Sequence, residues 1–170
     1  MLFENLVTSN RVEFVTKVRN ISNLLGINPD WLMAVMYKES RLNPQAYNSK
    51  GGATGLIQFM PDTAKTYGTT TTALKAMSNV NQLDYVYKYL KGAAGKINSY
   101  ADLYLVTFFP IAMGKPDSWI LQSSTLRPDV IAKYNPGIDL NHDLKITVGE
   151  FREYALRGFT AEIQLALKKK

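Results

Sequence analysis

Residues 28–64 read NPDWLMAVMYKESRLNPQAYNSKGGATGLIQFMPDTA, and the choice of fold class rests on this stretch. The Asn-Pro-Asp sequence at 28–30 predicts a helix start, because it combines an N-cap, a first-turn proline and an early acidic residue. The helix is expected to run to about Ser40, and Pro44 prevents it from continuing. A polar, glycine-rich loop follows at residues 48–55.

Apolar residues recur at helical spacing along most of the remaining chain. They predict further helices over residues 10–25, 61–68, 72–90, 100–109, 148–156 and 160–168. Few segments alternate between apolar and polar residues with a period of two, so little or no sheet is expected. The sequence therefore predicts a mainly α protein.

The composition is that of an ordinary globular protein, with 170 residues of which 46% are hydrophobic and 20% charged. Cysteine is absent, which excludes a disulfide framework, a thiolate zinc site and a cysteine nucleophile. A catalytic triad or a histidine metal site would have to be built around the single histidine, His142. No apolar run approaches the roughly 20 residues that a membrane-spanning helix needs, so we expect no membrane insertion.

The formal net charge is +6, from 20 Lys and Arg residues against 14 Asp and Glu residues. This excess favours anionic partners such as nucleic acid, an anionic membrane surface or a cell-wall polymer. The basic residues are mostly dispersed, and charge is the only feature that would support nucleic-acid binding. We therefore expect no nucleic-acid partner, and we expect a monomer.

A glutamate stands at the end of an apolar helix face. Leu32, Val35, Met36 and Glu39 are spaced i, i+3, i+4 and i+7, so they lie on one side of the predicted helix. Partial burial and the negative end of the helix would both keep a proton on this carboxyl. A protonated carboxyl near neutral pH is what a general acid needs. The alternative is a glutamate at the edge of the apolar stripe that reaches into water.

The glycine-rich segment GGATG at 51–55 continues into LIQFMP at 56–61. Its glycines allow the backbone to approach a ligand closely, and Gln58 offers both a donor and an acceptor among apolar neighbours. This combination suits a sugar that carries N-acetyl groups. No Gly-Lys-Ser/Thr follows the glycines, so a nucleotide-binding loop is excluded.

The chain resembles the soluble lytic transglycosylases and the related goose-type lysozymes in two motifs. These are the Glu-Ser pair at Glu39, and GATGLIQFMPDTA at 52–64, which follows the family pattern Gly-Ala-x-Gly-Leu-Met-Gln-x-Met-Pro-x-Thr-Ala. The resemblance covers roughly residues 20–116. It implies a lysozyme-like helical fold, a peptidoglycan substrate, and cleavage of the β-1,4 bond between N-acetylmuramic acid and N-acetylglucosamine. It implies that Glu39 is the general acid and later the base. Along the glycan groove it places Ser40, Gly55, Leu56, Ile57, Gln58 and Phe59.

One segment departs from the family pattern. Where the family has Ala-Tyr-Asn-Ala-Gly, whose tyrosine supports the acid, this chain reads LYLVTFFP at 103–110. The best alignment puts Phe108 at the tyrosine position. Tyr104 lies one turn earlier and could substitute, so we include it among the groove residues. Plain core packing is the alternative for these aromatic residues, and it is the one we expect for Phe108 and Phe109.

The reaction type depends on the number of catalytic carboxylates, since most glycosidases use two. No acidic residue lies between Glu39 and Asp62, and neither Asp84 nor Asp102 is marked by its spacing. A single glutamate suits a lytic transglycosylase, in which the substrate's own N-acetyl group stabilises the cation and the muramic C6 hydroxyl attacks. The expected product is a 1,6-anhydromuramic end. A hydrolysing muramidase and a catalytically inactive glycan-binding module are the alternatives.

A second motif, DLNHDLKITVGE at 139–150, fits the twelve-residue EF-hand calcium loop. Leu144 replaces the glycine that eases the turn, and a Pro-Gly pair at 136–137 would interrupt an entering helix, so we expect a loop with an exit helix only. His142 falls at a position that binds no metal. We predict a structural Ca²⁺ site, and a solvated acidic turn is the alternative. The predicted ligands are Asp139, Asn141, Asp143, the carbonyl of Lys145, Thr147 directly or through water, and Glu150.

These motifs suggest how the chain is organised. We expect a lysozyme-like catalytic core at residues 1–120 and a C-terminal helical segment with the calcium loop at 121–170, packed on the core as one compact unit. The N-terminus shows no secretory signal pattern. With the small size, this leads us to expect a bacteriophage endolysin or virion-associated enzyme that acts on the bacterial cell wall, or a domain cut from a longer chain.

Overall fold

The structure is a computed structural model that describes residues 1–169, so Lys170, the last residue of the predicted C-terminal segment, lies outside the described residues. The described chain divides into two units, Met1–Gly95 and Lys96–Lys169. This division falls earlier in the chain than the expected boundary at 120/121. The packing of the two units as one compact unit stays a prediction.

Helices form both units. The first contains α1 (Arg11–Leu25), α2 (Pro29–Ser40), α3 (Pro61–Thr66), α4 (Thr71–Ala76) and α5 (Asn79–Leu90). The second contains α6 (Tyr100–Phe108), α7 (Pro128–Tyr134), α8 (Val148–Leu156) and α9 (Ala161–Leu167). Strand pairing within residues 1–169 is limited to three isolated bridges. The predicted mainly α fold is therefore confirmed. None of the described helices has both the length and the apolar character needed to cross a bilayer.

Two helical predictions were wrong in detail. The single helix expected over residues 72–90 is two helices, because Met77 is extended and Ser78 caps α5 by accepting a hydrogen bond from a backbone N–H at 3.1 Å. Apolar residues keep the helical spacing through both helices, so this spacing does not reveal the break. The sequence prediction also omitted α7, a helix of two turns that begins at Pro128.

Helix α2 is buried on all sides over residues 31–36. Six consecutive side chains, residues 31–36, are at most 1% exposed. A helix that is apolar all round belongs inside a core. The one-sided apolar stripe inferred from the spacing is therefore corrected, because Trp31, Met33 and Ala34 are buried as well. Within the first unit, α1 packs against both α2 and α5.

The N-terminal segment is anchored to α2. The backbone N–H of Leu2 donates to the Asp30 carboxylate at 2.7 Å. The Phe3 ring stacks on Tyr37 with a centroid distance of 4.1 Å, and the Arg41 guanidinium lies 4.3 Å from the same tyrosine ring. These contacts hold both ends of the helix that carries the candidate catalytic acid.

Aromatic side chains build the core of the second unit. Tyr104 and Phe108 of α6 both contact Phe151 of α8, with ring centroids 5.4 and 5.1 Å apart. Tyr100, one turn earlier on α6, contacts Phe159 at 6.3 Å. Because these residues recur every fourth position on α6, they form one continuous aromatic face, which contacts α8 and Phe159 beyond its end.

Candidate active site

Glu39 lies in the last turn of α2, one residue before the helix ends at Ser40. Its side chain is half-buried, directly after the buried run of this helix. Arg41 and Leu42 both take the left-handed conformation, with φ of 55° and 62°, so the chain turns sharply after the carboxylate. The candidate acid therefore stands at the negative end of a buried helix, where the core gives way to the surface.

Ser40 ties this helix end to the glycine-rich loop. Its buried hydroxyl lies 2.9 Å from the Met36 carbonyl oxygen and 3.0 Å from the Leu56 carbonyl oxygen. A buried hydroxyl needs such partners, and the second one belongs to the loop. Ser40 thus helps to hold the loop beside Glu39, and its predicted contact with a glycan stays a prediction.

The end of the glycine-rich loop and the residues that follow it form a closed turn at 54–59. Thr54 and Phe59 exchange two backbone hydrogen bonds, of 3.0 and 2.8 Å, as an isolated antiparallel bridge. Between them Gly55 and Gln58 take left-handed conformations, with φ of 82° and 54°. The loop is thus a closed turn whose backbone is held by its own hydrogen bonds.

Most side chains of this turn are buried. Leu56, Ile57 and Phe59 contribute to the apolar core, whereas Gln58 is half-buried. The Gln58 amide donates to the Gly55 carbonyl oxygen at 3.1 Å. The three apolar side chains therefore anchor the turn, and the groove roles predicted for these residues stay predictions.

Two tyrosines, Tyr89 and Tyr67, pack in sequence next to Phe59 of this turn. Phe59 meets Tyr89 edge-on at 5.9 Å, and Tyr89 meets Tyr67 at 5.5 Å. Burial, and then the neighbouring Tyr67 hydroxyl, raises the pKa of Tyr89 to about 12. The Tyr89 hydroxyl is therefore neutral near pH 7, and it adds no charge beside the loop.

Gln82 of α5 anchors the loop, although it was not among the predicted site residues. Its side chain is fully buried. The Oε1 atom accepts a hydrogen bond from the Leu56 N–H at 3.0 Å, and Nε2 donates to the carbonyl oxygens of Leu74, at 2.7 Å, and Pro44. One buried amide therefore satisfies three backbone groups from three separate segments.

The sequence does contain a signal for Gln82. Helix α5 buries Leu83, Val86 and Leu90, and positions 79 and 82 continue the same face at helical spacing. A polar residue on a buried face must find hydrogen-bond partners, since an unpartnered buried polar group is costly. That pattern predicts a buried amide network, although it does not identify the partners.

Two glycines with similar backbones provide a test of this anchor. A Cβ atom at Gly55 would overlap the Gln82 Oε1 atom, whereas a Cβ at Gly68 would meet no atom within 4 Å. Their φ angles are +82° and +78°, so alanine suffers left-handed strain of about 1 kcal/mol at either site. Overpacking should cost Gly55→Ala about 2 kcal/mol more unfolding free energy than Gly68→Ala. Chemical denaturation of both variants measures this difference, and equal losses would contradict the packing described here.

Two of the three other carboxylates considered as a second catalytic group make structural contacts. Asp84 forms an ion pair with Lys17 at 2.8 Å. Asp102 is buried, and its carboxylate accepts backbone N–H bonds of 3.2 and 3.4 Å within the second unit. Asp62 is exposed in the first turn of α3. Asp84 and Asp102 are therefore accounted for by structural roles.

Tyr104 lies in the aromatic core of the second unit, and Phe108 lies at the edge of that core. Tyr104 is buried, and Phe108 stacks on Phe151 with an interplanar angle of 24°. Phe108 is half-buried, so it packs against Phe151 at the edge of this core. The support of Glu39 by Tyr104 stays a prediction.

The loop at residues 139–150 is shaped by its own side chains. The Asn141 and Asp143 side-chain oxygens each accept the N–H two residues further on, both at 2.9 Å. The Asp139 Oδ2 atom accepts the N–H of Leu144 at 3.1 Å. These hydrogen bonds fold the polar side chains at loop positions 1, 3 and 5 back over the turn.

The turn forms although it lacks the expected glycine. Leu144 adopts φ of 63°, and His142 adopts φ of 60°, so both take the left-handed conformation. For a leucine this conformation costs about 1–2 kcal/mol. The substitution therefore strains the loop without preventing its geometry.

Glu150 closes the loop and caps α8. Its Oε2 atom accepts hydrogen bonds from both the N–H and the hydroxyl of Thr147 at 2.8 Å, while Oε1 accepts the N–H groups of Leu140 and Asn141 at 3.1 and 3.4 Å. Burial raises the pKa of Glu150, but these hydrogen bonds, foremost those from Thr147, outweigh it and hold the pKa below its usual range. The carboxylate is therefore ionised at neutral pH.

In the part of the chain that the structure describes, no three His, Cys, Asp or Glu side chains form a ready metal cluster. The ligand set predicted for the loop is mixed, with an amide, a carbonyl and a hydroxyl beside three carboxylates. One of these carboxylates, Glu150, is already engaged by four hydrogen bonds. An ion here would require Glu150 to exchange hydrogen bonds for metal contacts.

Comparison with known proteins adds one match. A family model described as the transglycosylase SLT domain matches residues 18–138, well over half of the chain. The matched segment contains Glu39, the glycine-rich loop and Gln82, and it ends one residue before Asp139. No curated protein matches the chain.

Proposed function

Because the chain belongs to the transglycosylase SLT domain family, whose members are lytic transglycosylases acting on peptidoglycan, we propose that Glu39 cleaves the β-1,4 bond between N-acetylmuramic acid and N-acetylglucosamine. One observation carries the proposal. A half-buried glutamate lies in the last turn of a buried helix. The Ser40 hydroxyl at the end of that helix donates a hydrogen bond toward the Leu56 carbonyl oxygen, directly after the glycine-rich loop. The arrangement supports a catalytic acid held next to the glycine-rich loop.

The first step breaks the glycosidic bond. The protonated carboxyl of Glu39 donates its proton to the bridging oxygen while the bond from that oxygen to the muramic C1 atom breaks. The electron pair stays on the leaving oxygen, which becomes the 4-hydroxyl of N-acetylglucosamine. Positive charge develops at C1, and the carbonyl oxygen of the substrate's own N-acetyl group stabilises it.

The second step closes a ring on the sugar. The C6 hydroxyl of the same muramic residue attacks C1, and the Glu39 carboxylate accepts its proton. A bond between C1 and O6 forms, no water is consumed, and Glu39 returns to its protonated form. The absence of acidic residues between Glu39 and Asp62 supports this single-carboxylate route, as do the structural contacts of Asp84 and Asp102.

The charge of the chain agrees with this substrate. A net charge of +6 favours association with anionic wall polymers. The monomeric state and the bacteriophage source expected from the sequence stay predictions.

Digestion of purified sacculi in oxygen-18 water tests the reaction type. We expect released fragments with 1,6-anhydromuramic ends, one water lighter than hydrolysis products and free of the label, because the attacking oxygen comes from the sugar. Mass spectrometry distinguishes these fragments. Labelled reducing muramic ends would instead identify a muramidase with a second carboxylate, and binding to sacculi without any released fragment would identify a glycan-binding module.

A further inference from the structure

The loop at residues 139–150 begins where the SLT match ends, and the catalytic proposal does not use it. We propose that it binds calcium, and that residues 119–121 of the same chain pair with the backbone of the loop. The site is thus a single EF-hand-like loop with an exit helix, α8. Its oxygen ligands are the side chains of Asp139, Asn141, Asp143, Thr147 and Glu150, and the carbonyl of Lys145.

A buried carboxylate oxygen without a partner points to a cation. Asp139 is only 4% exposed. Its Oδ2 atom accepts the Leu144 N–H, but its Oδ1 atom is buried and has no hydrogen-bond partner. Among the described residues this is the one carboxylate with such an oxygen. Burying a charged oxygen without a donor is costly, and a bound cation would supply the missing partner at the first ligand position.

The loop is acidic although the whole chain is basic. Residues 139–150 contain three carboxylates and one lysine, whereas the net charge of the chain is +6. The predicted ligands are all oxygens, which suits a hard cation. They come from carboxylate, amide, hydroxyl and backbone carbonyl groups, and Ca²⁺ accepts six to eight such oxygens at variable angles. Mg²⁺ demands a smaller and more regular octahedron, so the set favours calcium.

The loop backbone is already paired within the second unit. The Leu121 N–H donates to the Ile146 carbonyl oxygen at 2.8 Å, and the Val148 N–H donates to the Trp119 carbonyl oxygen at 2.9 Å. Ile120 and Thr147 form the bridge between these two bonds. Residues 119–121 thus cover the backbone edge of the loop within the same chain, so the site needs no second copy of the chain.

The same pairing couples the ion to the fold. The Gly149 N–H donates to the Asp117 carbonyl oxygen at 3.0 Å, and Arg152 of α8 forms an ion pair with the Asp117 carboxylate at 3.1 Å. Calcium would therefore clamp the loop, the start of α8 and residues 117–121 together. The unfolded chain cannot converge these oxygens, so binding stabilises the folded form.

Calorimetric titration with calcium chloride and thermal melts of the full chain test the site. We expect one calcium ion per chain, and a melting temperature raised by roughly 5–10 °C at a calcium concentration a hundredfold above Kd. Magnesium chloride should produce a smaller shift. Asp139→Asn should remove calcium binding, because it deletes the charge at the first ligand position while keeping the side-chain size and an acceptor for Leu144.

Without metal, the melting temperature of Asp139→Asn should compare differently with that of the wild type. In chelator, Asp139→Asn should melt no lower than the wild type, because a neutral amide replaces a buried unpartnered carboxylate oxygen. Asp129→Asn is the matched control, since Asp129 lies outside the loop and pairs with Arg127. It should keep the full calcium shift, as should Glu39→Gln, which separates this test from the test of catalysis. The proposal would be overturned if calcium produced neither binding heat nor a shift in melting temperature in the wild type. It would also be overturned if Asp139→Asn kept the calcium-dependent shift.

Discussion

Glu39→Gln is expected to lower the rate of sacculus digestion by at least about 100-fold, because glutamine has the size of glutamate but cannot deliver a proton to the leaving oxygen. The thermal unfolding transition should stay close to that of the wild type, since the side chain is only half-buried and retains polar atoms. Clearance of a sacculus suspension measures the rate. Circular dichroism measures the fold of the same preparation.

Asp62→Asn is the matched control for this variant. Asp62 is the next carboxylate along the chain, it is exposed at the start of α3, and the single-carboxylate route gives it no role. We therefore expect near-normal digestion by Asp62→Asn. A folded Glu39→Gln protein with normal digestion would refute the assignment of the acid. Equal losses in both variants would indicate a carboxylate pair and a hydrolytic mechanism.

Gln82→Ala is expected to cause the largest loss of stability, lowering the free energy of unfolding by at least about 3 kcal/mol. The truncation leaves the Leu56 N–H and the carbonyl oxygens of Leu74 and Pro44 without their buried partner. It also opens a cavity beneath the loop. Chemical denaturation measures the loss.

Gln82→Glu provides a sharper comparison. Glutamate keeps the shape and one acceptor oxygen, but it places a second oxygen where the amide group donates to two carbonyl oxygens. It should therefore destabilise the protein although it fills the same space. Asn81→Ala, on the exposed side of α5, should change stability by less than about 1 kcal/mol. If Gln82→Ala were as mild as this control, the amide would not be the anchor of the loop.

Local sequence patterns were sufficient for the fold class and for the position of the candidate acid. The start of α2 at Pro29 and its end at Ser40 follow from an N-cap, a proline and the apolar run, which act within a few residues of one another. Glu39 stands out for the same reason, as a carboxylate that continues an apolar helix face. The turn at residues 54–59 is also local, since its glycine and its backbone bridge lie within six residues.

Other features of the structure depend on contacts between residues far apart in the sequence. The local spacing of apolar residues does not reveal these contacts. Gln82 reaches Leu56 and Pro44 across 26 and 38 residues, so a buried face identifies a polar residue there but not its partners. The burial of α2 on all sides, by contrast, agrees with its local sequence, because residues 31–36 are six consecutive apolar residues. Residues 119–121 pair with residues 146–148 across more than 20 residues of sequence, and the buried oxygen of Asp139 belongs to the loop that this pairing holds. Hydrogen-bond partners and burial are properties of the folded chain, because they arise from segments that the sequence keeps far apart.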